Sequence, residues 1–101
     1  MEEKKYVYYV TTGVVGVDDR KAVGRFSKLA DAITAVAHHQ ILLSNKAKIE
    51  SQQVNYRNDN EFTQFDVQIE KAVFDEDGYF VESDIIVYEK TPKFRYGQIV
   101  D

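Results

Sequence analysis

The spacing of apolar and polar side chains divides this chain into segments of different period. Lys5 to Thr12 is rich in tyrosine, valine and threonine, residues that favour strands. Its apolar positions do not alternate cleanly: Tyr6, Tyr8 and Val10 point one way, Val7 and Tyr9 the other. A strand that is apolar on both sides expects cover on both. Gly13 to Gly16, with Val14 and Val15 between, extends it; Asp18-Asp19-Arg20-Lys21 reads as a polar turn. Ala22 to Phe26 is then a short return strand, weakened by Gly24.

From Lys28 to about Leu43 the period becomes helical. Leu29, Ala30, Ile33, Val36, Ala37 and Leu43 fall on one stripe, with Gln40 the only polar intruder. Ser27 is the expected N-cap, Asp31 suits the positive end of the helix dipole, and Ser44-Asn45 suits the exit. Lys46 to Asn60 is ambiguous. Ile49, Val54 and Tyr56 suggest an irregular strand, a continued polar helix is the alternative, and Asn58-Asp59-Asn60 signals a turn.

Phe62 to Lys90 reads as a long hairpin. Phe65, Val67, Ile69 and Val73 alternate with Gln64, Asp66, Gln68 and Glu70. Val81, Ile85 and Val87 follow, separated by Glu82 and Asp84. A three-residue loop Glu76 to Gly78, with Gly78 left-handed, sets Val73 beside Val81, Ile69 beside Ile85 and Val67 beside Val87. The tail, Thr91 to Asp101, holds Pro92, Phe94, Tyr96, Ile99 and Val100; it either docks as a short final strand or stays loose. The expected architecture is α+β, a mainly antiparallel sheet of four to five strands with one helix packed on one face. At 101 residues the chain is expected to be a single domain, 1–101.

One helix leaves one sheet face bare. Tyr6, Tyr8, Val10, Phe74, Phe80, Ile86 and Tyr88 share even parity and are expected there. An apolar patch on a small protein marks an interface, and two-fold dimers cover such patches most often. The expectation is a homodimer through Tyr6, Tyr8, Val10, Phe80, Ile86 and Tyr88. The competing reading has the tail or segment 46–60 fold over the patch.

Composition narrows the function classes. No run of about 18 apolar residues exists, so no membrane span is expected, and the N-terminal segment lacks the apolar region of a signal peptide. Zero cysteines removes disulfides, thiol catalysis and cysteine-ligated zinc, which fits a cytoplasmic location. The net charge is −4, unevenly spread: segment 58–89 carries ten acids and one base, against +3 before it and +2 after. Asp66, Glu70, Glu82 and Asp84 are the residues expected to meet a basic partner protein from one hairpin face. Glu70 opposite Asp84 would be a like-charge pair, which also raises calcium or magnesium as an alternative occupant. The plain alternative is a solvated strand face.

Other motifs point away from chemistry. Asp75-Glu76-Asp77-Gly78 holds only a fragment of the calcium-loop pattern and reads as a turn. Adjacent His38 and His39 lack the three- or four-residue spacing of a helical metal pair. Gly13-Val14-Val15-Gly16 is no phosphate loop, and no nucleophile elbow exists. No cofactor, metal site or enzymatic activity is expected. A second functional reading gathers Lys4, Lys5, Arg20, Lys21, Arg25 and Lys28 with the tyrosines as a nucleic-acid surface, against the acidic pI of about 5.1.

Overall fold

The computed structural model describes residues 4–100; Met1–Glu3 and Asp101, the outermost residues of the expected N-terminal segment and tail, lie outside them. The order is β1 (Lys5–Val14), β2 (Arg20–Phe26), α1 (Leu29–Gln53), β3 (Phe65–Phe74), β4 (Phe80–Lys90), β5 (Lys93–Arg95) and β6 (Gln98–Val100). The four long strands form an antiparallel sheet in the order β2-β1-β3-β4, and β5 and β6 form a separate hairpin. The fold is α+β, one helix on one face of an antiparallel sheet.

β1 and β3 are the spine of the sheet. Ten consecutive residues pair without a shift, from Lys5 opposite Phe74 to Val14 opposite Phe65. Directly opposed residues share a face, so Val10, Ile69 and Val87 line one row toward the helix. Val10, Val67 and Ile69 pack there against Ala32 and Val36, all buried. A second cluster of Ala47, Phe65 and Phe94 continues it toward the far end of α1.

The helix differs from expectation in start, length and facing. Ser27 is not its cap; Lys28 takes that position in an extended conformation and makes no side-chain cap bond. The chain therefore stays extended one residue longer, and the Ala32 amide donates to the Lys28 carbonyl. The helix does not exit at Ser44-Asn45 but continues to Gln53, so segment 46–53 takes the helical alternative. Its buried residues are Ala32, Val36, Ala47 and Ser51, whereas Leu29 and Ile33 are exposed. Close approach to a sheet selects small side chains at the contact. A stripe drawn by side-chain apolarity is therefore rotated away from the true one.

The tail docks as a hairpin. Tyr96 and Gly97 both have positive φ, 51° and 80°, the signature of a two-residue turn whose twist matches its strands. The Gly97 amide donates to Ser51 Oγ at 2.9 Å. The positive φ favours glycine at 97, and a Cβ there would stand 2.6 Å from Gln52 Nε2, so a larger residue would also displace the Gln52 side chain. Phe94 exchanges backbone bonds with Thr63, and the Tyr56 hydroxyl donates to the Phe94 carbonyl.

The β3–β4 loop forms as expected and the register beyond it does not. Asp75 and Tyr79 close the loop, Gly78 has φ 86°, and Phe74 opposes Phe80. Two bulges in β4 then shift the pairing, one at Val81 and one at Ile86. Ile69 consequently lies opposite Val87 rather than Ile85, and Val73 opposite Glu82 rather than Val81. Glu70 opposes Ile85, and Lys71 opposes Asp84, so the expected like-charge pair is absent.

The extents are 57 × 22 × 19 Å. A helix of 25 residues spans about 37 Å. It begins just after Phe26, which pairs with Tyr8, and runs toward Phe65 and Phe94. Lys5–Val7 and the strand residues beside them thus extend past the helix as an arm.

The central row predicts its own cost. Ile69→Ala should lower the unfolding free energy by about 2–5 kcal/mol in urea titration. A loss below about 1 kcal/mol would mean that this contact does not hold the two layers together.

Candidate interaction surface

The sheet face turned away from α1 carries a charged cluster at the β2 end. Arg20 stands opposite Gly13, and Gly13 opposite Asp66. The Arg20 side chain crosses the Gly13 backbone, where a Cβ would meet Arg20 Nη1 at 2.9 Å. Glycine in mid-strand is thus what lets the guanidinium reach two strands away. Arg20 Nε donates to Thr11 Oγ1 at 3.0 Å, and Nη2 donates to the Thr11 carbonyl at 3.2 Å. Nη2 lies 2.6 Å from Asp66 Oδ1, an ion pair in which Oδ1 takes no aligned hydrogen bond. Tyr88 donates its hydroxyl to Asp66 Oδ2 at 2.9 Å from β4. Side chains from all four strands or their backbone meet here.

Asp66 is 3% exposed, so it belongs to this network and is closed to a partner. That corrects its expected role in an acidic binding face. The remaining acids of that set are divided as well. Glu70 shares the open face with Asp66, while the Ile86 bulge turns Glu82 and Asp84 to the other side, where they line a depression with Tyr6, Lys71, Val73 and Ile86. Asp66, Glu70, Glu82 and Asp84 therefore form neither one acidic face nor one cation cage.

The expected dimer surface is divided by the same geometry. Val10 is fully buried under α1, and Tyr8 packs against the core. Tyr6 lies on the helix side of the sheet in the rows past the start of α1, and Ile86 lines the same depression. Phe80, stacked edge-on with Phe74, and Tyr88 face the opposite side. Parity along β1 alone places Val10 on the outside; the ten-residue pairing with β3 and the packing of α1 put it inside.

The six bases of the nucleic-acid reading are not all at one end of the sheet. Lys5 and Arg20 align with opposite ends of β1, about 27 Å apart along the strand. Arg20 is committed to Asp66, and Lys71 lies 4.3 Å above the Tyr6 ring. His38 and His39 meet each other edge to face. Asp75 Oδ1 accepts from the amides of Asp77 and Tyr79, so that loop uses its aspartate to hold the turn.

What remains open is the arm. Residues 72–86 hold five acids and no base, with Lys5 opposite Phe74 and with Lys4 and Lys71 beside Glu82 and Asp84. Among them Tyr79 is 72% exposed, Phe80 60%, Ile85 57%, Val81 49% and Ile86 41%. β4 is the outer strand of the sheet along its whole length. Among the described residues, no helix is long and apolar enough to cross a membrane. In comparisons with known proteins the chain matches no family model, no curated protein and no solved structure.

The Arg20–Asp66–Tyr88 network yields two measurable outcomes. Asp66→Asn leaves the guanidinium without its counter-charge and should cost about 2–3 kcal/mol in urea titration; no loss would mean that the pair only balances its own desolvation. The hydrogen bond to Asp66 holds the Tyr88 hydroxyl above its ordinary value, with burial and the Asp66 charge adding to it and Arg20 opposing. A raised folded value stabilises below the unfolded value of about 10 and is lost as pH climbs through the folded one. Stability should therefore fall above about pH 10, and Tyr88→Phe should flatten that part of the curve. An unchanged slope would assign the fall to other groups.

Proposed function

We propose that the protein is a non-enzymatic binding protein, and that the arm is the surface that meets its partner. The observation that carries this reading is the exposure of Tyr79, Phe80 and Val81 among Asp75, Glu76, Asp77 and Glu82, on a strand pair that extends past its own helix. Apolar side chains left in water favour a protein surface that buries them. Acids interleaved with them select a partner that is basic around its apolar pocket, through complementary potentials and faster encounter. The partner class is a basic protein. Glu82 and Asp84 keep the role expected of them, joined by Glu76 and Asp77 at the tip, while Asp66 leaves the set. The expected homodimer becomes self-association through a different surface, argued below.

The test compares two variants of equal charge change in the same capture experiment. One combines Glu76→Gln, Asp77→Asn, Glu82→Gln and Asp84→Asn; the other neutralises Asp18, Asp19, Asp31 and Glu50. The arm variant should lose a captured basic protein by about tenfold or more while the control retains it. Phe80→Ser should weaken the same capture at unchanged net charge. Equal losses in both charge variants would reduce the effect to net charge and remove the arm from the account.

A further inference from the structure

The two outer strands of the sheet are chemically opposite. β2 carries Arg20, Lys21 and Arg25 and no acid, while β4 carries Glu82, Asp84 and Glu89 against Lys90 alone. Each edge also carries a bulge, a device that normally keeps edges from pairing. Val23 is the extra residue of β2 between the rows of Val10 and Thr11. Ile86 is the extra residue of β4 in the adjacent step, between the rows of Val10 and Tyr9.

These bulges cancel when one edge is set against the other. The row of Tyr9 holds Arg25 on β2 and Ile85 on β4; the row of Thr11 holds Ala22 and Tyr88. Between them β2 contributes Gly24 and Val23, and β4 contributes Ile86 and Val87. The two segments have equal length. A second copy shifted sideways by the width of the sheet therefore pairs its β2 with this β4 in unbroken register. β2 and β4 run in opposite directions within the sheet, so the junction is antiparallel like every other strand pair.

The side chains fit that register. Phe26 meets Asp84, Arg25 meets Ile85, Gly24 meets Ile86, Val23 meets Val87, Ala22 meets Tyr88, and Lys21 meets Glu89. Val23 and Val87 both pack on the helix-side core of their own chain. Lys21 stands in the row of Thr12 and Glu89 in the row of Val67, which oppose each other, so both point to the helix side. The one like-charge match is Arg20 with Lys90, and Arg20 is already turned inward to Asp66. Four strands at about 4.8 Å separate neighbouring helices by about 19 Å, wider than the 10–12 Å diameter of a helix with its side chains, so helices on the same side do not collide.

We propose that copies of this chain associate head to tail, the basic β2 edge of one adding to the acidic β4 edge of the next, to form a continuous antiparallel sheet. Such a contact is heterologous and open-ended, unlike a two-fold dimer. β2 stops at the row of Phe26 and Asp84. Tyr79 to Ser83 therefore stay uncovered in every copy, while Asp84 stands at the boundary of both surfaces; the reversals at Lys21 and Glu89 lie outside the arm, so the two readings are tested apart.

The experiment is sedimentation velocity with light scattering on the full chain, at low and at moderate salt. Mass should rise with concentration beyond a dimer and fall back with salt. Lys21→Glu and Glu89→Lys are single reversals at exposed positions. Each alone should weaken association about tenfold or more, and an equimolar mixture of the two variants should restore the wild-type mass, because each then offers the edge that the other needs. Circular dichroism of each variant checks that the monomer is folded, and Asp18→Lys, in the turn before β2, controls for net charge. A mass that saturates at a dimer, a monomer at every concentration, or a mixture that fails to recover would each overturn the proposal.

Discussion

Ten uninterrupted pairs between β1 and β3 set the position of nearly everything else in this molecule. They bring Val10 against Ile69 under Ala32 and Val36, which makes the core. They bring Gly13 against Asp66, which opens the path for Arg20. A slip of one residue in this pairing would turn Val10 out if β1 moved, or turn Asp66 under the helix without its partner if β3 moved. Register at the centre of the sheet is thus held by both faces at once, by burial on one and by charge pairing on the other.

The outer strands obey a looser rule. β2 departs from β1 at Val23, and β4 departs from β3 at Val81 and Ile86. Bulges let a strand follow twist and redirect side chains while the centre stays regular. Here they decide which acids share a side: Glu82 and Asp84 go to one face and Glu70 stays on the other. The same irregularities leave the two edges equal in length across the step where each departs.

The helix contributes by being thin where it touches. Ala32, Ala47 and Ser51 are fully buried, while Ile41 and Ile49 stand exposed on its outer side. Small contacts allow the β5–β6 hairpin to reach Ser51 through Gly97, which fixes Phe94 over Ala47 and Phe65. The far end of α1 is therefore held by the tail, and the near end stops short of the arm.

Local sequence determined the elements: strand-forming residues in β1, the helical period after Ser27, the alternation of β3, and the glycine of the β3–β4 loop. These rest on neighbours close in the chain, and the structure keeps them. The α+β class follows from them as well. Which side of each strand faces the helix was a tertiary decision, because parity within β1 is symmetric until β3 pairs with it. The true helix stripe was hidden because alanine and serine score weakly in apolarity yet permit the closest packing. The candidate site was legible only in part. A surplus of acid in segment 58–89 could be counted, but Arg20 and Asp66 lie far apart in the chain, and only Gly13 within a strand hinted that something crosses there. The division of the acids between two faces came from bulges, which answer to sheet twist and packing across strands and leave no mark in the order of residues.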